Sequence, residues 1–212
     1  AVCSGTTLEI TSDNKGISSH GDLEISGGDI TIHSCTEGVE SKAEMTISGG
    51  NVRILDASDD GLNTGGSDSG SYAMTITGGT LLALSSKGMM EYPESGCLIA
   101  TNCNAAAGEQ ISIVDKNGTV LATLQSPKAV SDVIYGIGDS DSADYTIVTG
   151  GTYDGTLNED GYGEGGSVSG GTEVTANGGT GSMNGGAPAG GGQGGTPPEM
   201  PNLNNSGGNT AS

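Results

Sequence analysis

Between residues 37 and 63 lie side chains with the types and spacing to hold a hard divalent cation: Glu37, Glu40, Asp56, Asp59, Asp60 and Asn63. Carboxylate and amide oxygens suit calcium, which takes about 6–8 oxygen ligands and tolerates irregular geometry. No single loop supplies them. Asp56-Ala-Ser-Asp-Asp-Gly61 begins like an EF-hand, but Ser67 stands where that motif needs a bidentate Glu. Asp139-Ser-Asp-Ser-Ala-Asp144 fails the same test at Gly150, leaving Asp139, Asp141 and Asp144 as a second, weaker candidate. Acidic turns that merely face solvent are the competing reading of both stretches. A calcium site therefore needs the carboxylates to be brought together by the fold.

A repeat provides the means. Leu23-Glu-Ile-Ser-Gly-Gly-Asp-Ile30 returns as Met45-Thr-Ile-Ser-Gly-Gly-Asn-Val52 and as Met74-Thr-Ile-Thr-Gly-Gly-Thr-Leu81, with a weaker echo at Tyr145–Thr152. A second phrase runs ahead of it: Lys15-Gly-Ile, Glu37-Gly-Val, Asp60-Gly-Leu, Lys87-Gly-Met. Gly27 to Gly49 and Gly16 to Gly38 are both 22 residues; Gly49 to Gly78 is 29, the excess falling in the polar stretch after Gly65. Apolar residues alternate within each unit, as in half-buried strands, and a fixed period implies stacked units. The spacing predicts a parallel β-helix of about 22 residues per coil; antiparallel hairpins explain the strands but not the constant register. Stacking in register places Glu37 on Asp60 and Glu40 on Asn63, with Lys15 and Lys87 at the ends of the ladder. Strands lie about 4.8 Å apart, so stacked carboxylates must take up a proton or a cation.

The rest of the chain narrows the function. Of 212 residues, 41 are Gly and none is Trp or Phe, so a core must come from Ile, Leu, Val, Met and Ala. A net charge of -20 opposes nucleic acid and anionic membrane as partners. No run approaches the roughly 18 apolar residues of a membrane span. Cys3, Cys35, Cys97 and Cys103 form no CxxC motif, so zinc is not expected; as disulfide candidates they favour Cys97–Cys103 closing a short loop, leaving Cys3–Cys35, with free thiols or bonds between chains as the alternatives. Together with the acidic, Gly-rich composition this reads as extracellular, and the start at Ala1 as a mature secreted chain or a fragment. Glu109–Leu124 predicts a hairpin around Asn117-Gly118, with further strands at Val133–Tyr135 and Tyr145–Val148. Boundaries follow: coils and closing hairpin over 1–126, a β cap over 127–175, and a Gly/Asn/Pro-rich tail over 176–212 too poor in apolar residues to fold alone. Tyr72 and Tyr92 fall near the loop side of the coils, where an aromatic face with a polar tip suits sugar. His20 and His33 read as surface residues. Lys42 and Arg53 lie near the acids, and Lys42 is the candidate base of a lyase, though charge balance explains both.

Ile-Ser-Gly-Gly-x-Val/Ile paired with Asp59-Asp-Gly-Leu-Asn63 resembles the bacterial carbohydrate-binding β-helix family, secreted or surface proteins that bind cellulose and acidic sugars. Ser126-Pro127, Tyr145-Thr-Ile147 and Thr196-Pro-Pro-Glu-Met200 extend the resemblance over most of the chain. It implies a right-handed parallel β-helix similar to pectate lyases, with bound calcium, Asp59, Asp60 and Asn63 matching the family's acidic turn and Glu37 and Glu40 the turn one coil earlier. Lys15-Gly, Lys87-Gly, the cysteines and the small number of coils depart from it and imply fewer calcium sites and a shorter binding face. The expected function is non-catalytic, calcium-dependent binding of cellulose or acidic pectin-like polysaccharide outside the cell. A fibre or surface-layer subunit (a homo-oligomer or filament built by end stacking) and a calcium-dependent lyase are the alternatives.

Overall fold

In the computed structural model, residues 5–65, 72–87, 91–138 and 140–178 are described. The first half of the chain folds into strands β1 (Thr7–Thr11), β2 (Lys15–Ser19), β3 (Leu23–Ser34), β4 (Glu37–Ser41), β5 (Met45–Ala57), β6 (Leu62–Thr64), β7 (Met74–Ile76) and β8 (Thr80–Ser85). The second half adds β9 (Cys97–Ala100), β10 (Gln110–Asp115), β11 (Val120–Gln125), β12 (Asp132–Gly136), β13 (Tyr145–Thr149) and β14 (Thr152–Tyr153), then β15 (Tyr162–Gly163), β16 (Val168–Ser169), β17 (Thr172–Val174) and β18 (Asn177–Gly178). The described residues all belong to one compact unit.

The repeat acts through stacking. β1, β3, β5 and β8 pair in parallel, and so do β2, β4 and β6 in a separate three-stranded sheet. The pairing places Ile10 on Ile32 on Ile54 on Ala83, and Ile25 on Ile47 on Ile76, as internal ladders. Ile25, Ile30, Ile32, Ile47 and Ile54 are almost fully buried, each contributing about 1.5–3 kcal/mol relative to exposure. Both repeated phrases owe their glycines to the closeness of the next coil. A Cβ on Gly16 would lie 2.6 Å from the Gly38 carbonyl oxygen and 2.7 Å from Ile32 Cδ1, and one on Gly38 would collide with the Gly61 carbonyl and Ile54. In the Gly-Gly phrase, Gly28, Gly50 and Gly79 have φ of 96°, 86° and 75°, the left-handed region that favours glycine.

The chain is all-β, but it does not form the single parallel β-helix with a cap that the spacing predicted. Parallel pairing stops at β8. β12 then enters antiparallel between β8 and β9, and β15, β11, β10, β13 and β17 make a separate, wholly antiparallel sheet. Of these pairs only β10–β11 is joined by a tight turn, the connection that suits antiparallel strands; β12 reaches β8 and β9 from further along the chain. The β10–β11 turn is the one expected at Asn117-Gly118. Asp115 Oδ1 accepts from Asn117 N at 2.9 Å and Thr119 N at 2.8 Å, and Gly118 takes φ 84°. Strands also form at the expected Val133–Tyr135 and Tyr145–Val148.

The antiparallel sheet covers part of the outer face of the eight-stranded sheet. Leu55, Leu82 and Leu84 from that face pack with Ile111, Ile113, Leu124 and Ile147 in a second core. Toward β1 and β3 this cover gives way to the segment 156–164, and a groove opens.

Gly38→Ala tests the stacking argument. Because of its two collisions it is expected to cost about 1–3 kcal/mol, whereas Gly21→Ala, with no atom within 4 Å of the added Cβ, is expected to be close to neutral. Chemical denaturation of the pair reads the difference.

Candidate functional groove and acidic ladder

The stacking brings the acidic ladder together as two differently solved charge problems. β4 places Glu40 between Ser18 of β2 and Asn63 of β6. Glu40 is 1% exposed, and burial alone would raise its pKa. Hydrogen bonds from Lys15, Lys42 and Ser18 overcome that and hold it down to about 2. Lys15 also reaches Glu37 at 2.8 Å. Lys42 is thus engaged by Glu40.

Asp60 is in the opposite position. Its backbone carbonyl accepts from Gly38 N at 2.8 Å, one residue from Glu37. Its Oδ2 accepts from Asn63 Nδ2 at 3.2 Å, while Oδ1 is buried with no hydrogen bond. Burial, then the negative charges of Asp59 and Glu37, push its pKa up to about 6, against the Asn63 hydrogen bond. Asp59 Oδ1 is likewise without a hydrogen bond, facing Lys87 Nζ at 3.3 Å. Asp56 is 7% exposed; Oδ2 pairs with Lys128 at 2.8 Å and Oδ1 has no hydrogen bond.

These observations divide the expected calcium ligands. Asp60, with an orphaned buried oxygen and Asp59, Asn63 and Glu37 beside it, has the chemistry of an all-oxygen cation site. Glu40 is already met by Lys15 and Lys42, Glu37 by Lys15, Asp56 by Lys128 and Asp59 by Lys87. Among the described residues no three His, Cys, Asp or Glu side chains converge as a ready metal cluster, so main-chain oxygens or water would have to complete the coordination. In the second acidic stretch Asp141 caps a short 3-10 turn by accepting from Ala143 N at 3.0 Å, and Asp144 pairs with Lys116 at 2.8 Å; Asp139 lies outside the described residues.

Other expected residues take ordinary positions. Tyr92 turns inward, donates its hydroxyl to Asp132 and packs on the core; Tyr72 is half-buried, and its carbonyl accepts from Thr64 Oγ1 at 3.2 Å. The Cys97–Cys103 disulfide is not formed: Cys103 is a buried free thiol whose Sγ lies 3.7 Å from the Ala100 carbonyl, and Cys97 Sγ lies 4.0 Å from that of Pro93. Cys35 is a buried free thiol, and burial with Asp56 nearby pushes its pKa up to about 11. Cys3 lies outside the described residues.

The groove is the feature that sequence reasoning missed. It encloses about 500 Å³, floored by outward side chains of β1, β3 and β5 and walled by the segment 156–164. A smaller hollow of about 260 Å³ adjoins it, sharing Arg53, Tyr162 and Glu164. Strand register sets the floor: Glu9, Thr31 and Arg53 form one column, Asp29 and Asn51 the next. Two basic side chains fasten wall to floor. His33, expected as a surface residue, is only 31% exposed, with Nε2 2.5 Å from Glu9 and Nδ1 2.8 Å from Asp160. Burial lowers its pKa, but the two carboxylates more than offset this and raise it. Arg53 pairs with Asp29 at 2.5 Å and Glu164 at 3.7 Å, and lies 5.1 Å over the Tyr162 ring. The wall carries its own brace: Asn158 Oδ1 accepts from Asp160 N at 3.0 Å and Tyr162 N at 2.9 Å. The only early signal was the alternation of strand residues, which marks Glu9, Thr31 and Arg53 as outward but cannot say what faces them.

No curated protein and no solved structure matches the chain. A family model described as carbohydrate-binding domain-containing protein matches residues 2–189. That span takes in the stacked strands, the antiparallel sheet and the groove between them, and the chain belongs to this carbohydrate-binding domain-containing family.

Proposed function

We propose that the protein is a non-catalytic module that holds a polysaccharide chain outside the cell and is stiffened by calcium. The observation that carries the reading is the groove: in a chain of a carbohydrate-binding family, an open trough lined with braced polar groups offers the hydrogen bonds that sugar hydroxyls need. Cellulose, as a neutral chain, fits such a lining. An acidic pectin-like chain meets carboxylates there and would need calcium as a bridge. The tethering of Lys42 by Glu40 speaks against a lyase base at that position. Binding should therefore occur without bond cleavage. Soluble polysaccharide in affinity electrophoresis is expected to retard the protein with no unsaturated product absorbing in the ultraviolet. Arg53→Ala, which frees Asp29 of the floor and releases Glu164 of the wall from the floor, is expected to weaken binding about tenfold or more. Unchanged retardation would remove the groove from the reading.

Calcium belongs to the same proposal. Asp59 and Asp60, with Glu37 and Asn63, would hold it, and its charge would relieve their mutual repulsion. Without the metal, Asp60 binds its proton more tightly folded than unfolded. Asp60's own contribution to stability is then fully present below the ordinary carboxylate value of 3.8 and is lost as pH rises to about 6. Calcium should raise the thermal midpoint at neutral pH, chelator should lower it, and Asp60→Asn should abolish both the calcium shift and this acid-side decline. A midpoint indifferent to calcium in the parent protein would sink the metal claim while leaving the groove intact.

His33 sets a second pH dependence. Its raised pKa means that its bridge stabilises the fold fully below the ordinary value of 6.5, a contribution lost as pH rises through the folded value. Over that window, once intrinsic exchange rates are corrected for, amide exchange in 156–164 should accelerate, and His33→Gln should flatten the response.

A further inference from the structure

We propose that the groove selects chains of amino sugars, with the sugar ammonium groups among Glu9, Asp29, Asp160 and Glu164, over neutral chains and over uronate chains. The proposal rests on the groove being the carbohydrate site and names the class of sugar it takes.

Three observations carry it. The first is how charge is layered. The carboxylate side chains of Glu9, Asp29, Asp160 and Glu164 are 57%, 51%, 35% and 56% exposed, whereas His33 and Arg53 are 31% and 19% exposed. The cations lie deeper, holding floor to wall, and an entering ligand meets carboxylate oxygens. Four carboxylates against one guanidinium and one imidazole leave the surface anionic even with His33 protonated. Such a lining attracts ammonium and repels uronate.

The second is Thr31. It lines the groove and is only 9% exposed. A hydroxyl at the groove floor can both donate to and accept from a ligand. A sugar hydroxyl can pair with it while its neighbouring ammonium reaches Glu9 or Asp29.

The third is spacing. Glu9, Thr31 and Arg53 succeed one another across paired strands, and Asp29 stands in the adjoining column. Their separation is the strand spacing of about 4.8 Å, close to the advance of one sugar in an extended chain. A chain laid across β1, β3 and β5 therefore presents successive sugars to successive strands.

Titration calorimetry with glucosamine, N-acetylglucosamine, cellulose-type and galacturonate oligomers of equal length tests this. The glucosamine oligomer is expected to bind about tenfold or more tightly than the two neutral ones, and the galacturonate oligomer least, with chelator present throughout. Because the whole protein is acidic, groove substitutions are compared with distant ones. Asp29→Asn and Asp160→Asn should each weaken glucosamine binding about fivefold or more, while Asp22→Asn and Glu24→Gln, which remove the same charge away from the groove, should leave it unchanged. Thermal midpoints close to the parent's establish that each variant is folded; should Asp29→Asn unfold, Asp160→Asn decides. Equal or tighter binding of the cellulose-type oligomer overturns the amino-sugar assignment but keeps the carbohydrate reading. Equal losses from groove and distant substitutions overturn it too, reducing the preference to bulk charge. Binding of none of the oligomers overturns both.

Discussion

Backbone stacked on backbone through glycine is the contact on which the rest of this molecule depends. At Gly16 and Gly38 the neighbouring coil's carbonyl and an Ile side chain occupy the space a Cβ would need. Any side chain there would part the coils, and the parallel register would go with them. That register does two things at once. It aligns Ile10, Ile32 and Ile54 inside, and it aligns charged residues of successive coils outside, where they have no choice of neighbour.

The electrostatics follow from this enforced alignment. The chain has 26 Asp and Glu residues against six Lys and Arg. Each of the six is paired with a carboxylate: Lys15 and Lys42 with Glu40, Arg53 with Asp29, Lys87 with Asp59, Lys116 with Asp144 and Lys128 with Asp56. Its own cations are thus committed, and Glu40, almost fully buried, receives two of them. Asp60 is what remains: half-buried, flanked by Asp59 and Glu37, and left to a proton at mildly acid pH. A protein that exhausts its own positive charge and still aligns carboxylates is one whose stability answers to cations in the medium.

How much of this was legible beforehand depends on the range of the interactions. The Gly-Gly phrase and its 22-residue spacing are local and periodic, so the stacking of Glu40 on Asn63 could be read from residue numbers alone. The hairpin at Asn117-Gly118 was legible for a similar reason, since its turn is closed by Asp115 and Gly118 themselves. The extrapolation to one continuous solenoid failed where the period failed: β12 arrives beside β8 from residue 132 onward, and no spacing announces it. Which carboxylate each lysine meets was hidden because a long side chain can reach several, and burial decides among them; Lys42 reads in sequence as charge balance or as a base, and in the fold it is the counterion of Glu40. The groove was least legible of all. His33 and Asp160 are 127 residues apart, and their contact depends on how one sheet is laid over another.

The groove also recasts how this chain can recognise sugar. With no Trp and no Phe, and six Tyr in all, it lacks the usual aromatic platforms. Tyr92 is turned into the core, Tyr162 carries Arg53 on its ring, and the Tyr153 hydroxyl donates to the Glu164 carbonyl at 3.0 Å. These rings brace the protein rather than stack on a ligand. Recognition must then come from directed polar contacts, which lose strength quickly when misaligned. The molecule compensates by fixing the groups in advance. Arg53 and His33 tie floor to wall, Asn158 holds the backbone of Asp160 and Tyr162, and strand pairing sets the floor column. A site that is polar and pre-formed spends little of its binding energy on ordering. On the proposed reading, discrimination would come from which donors and charges a sugar presents, and the carboxylates of the groove would be the means of selecting one sugar over another.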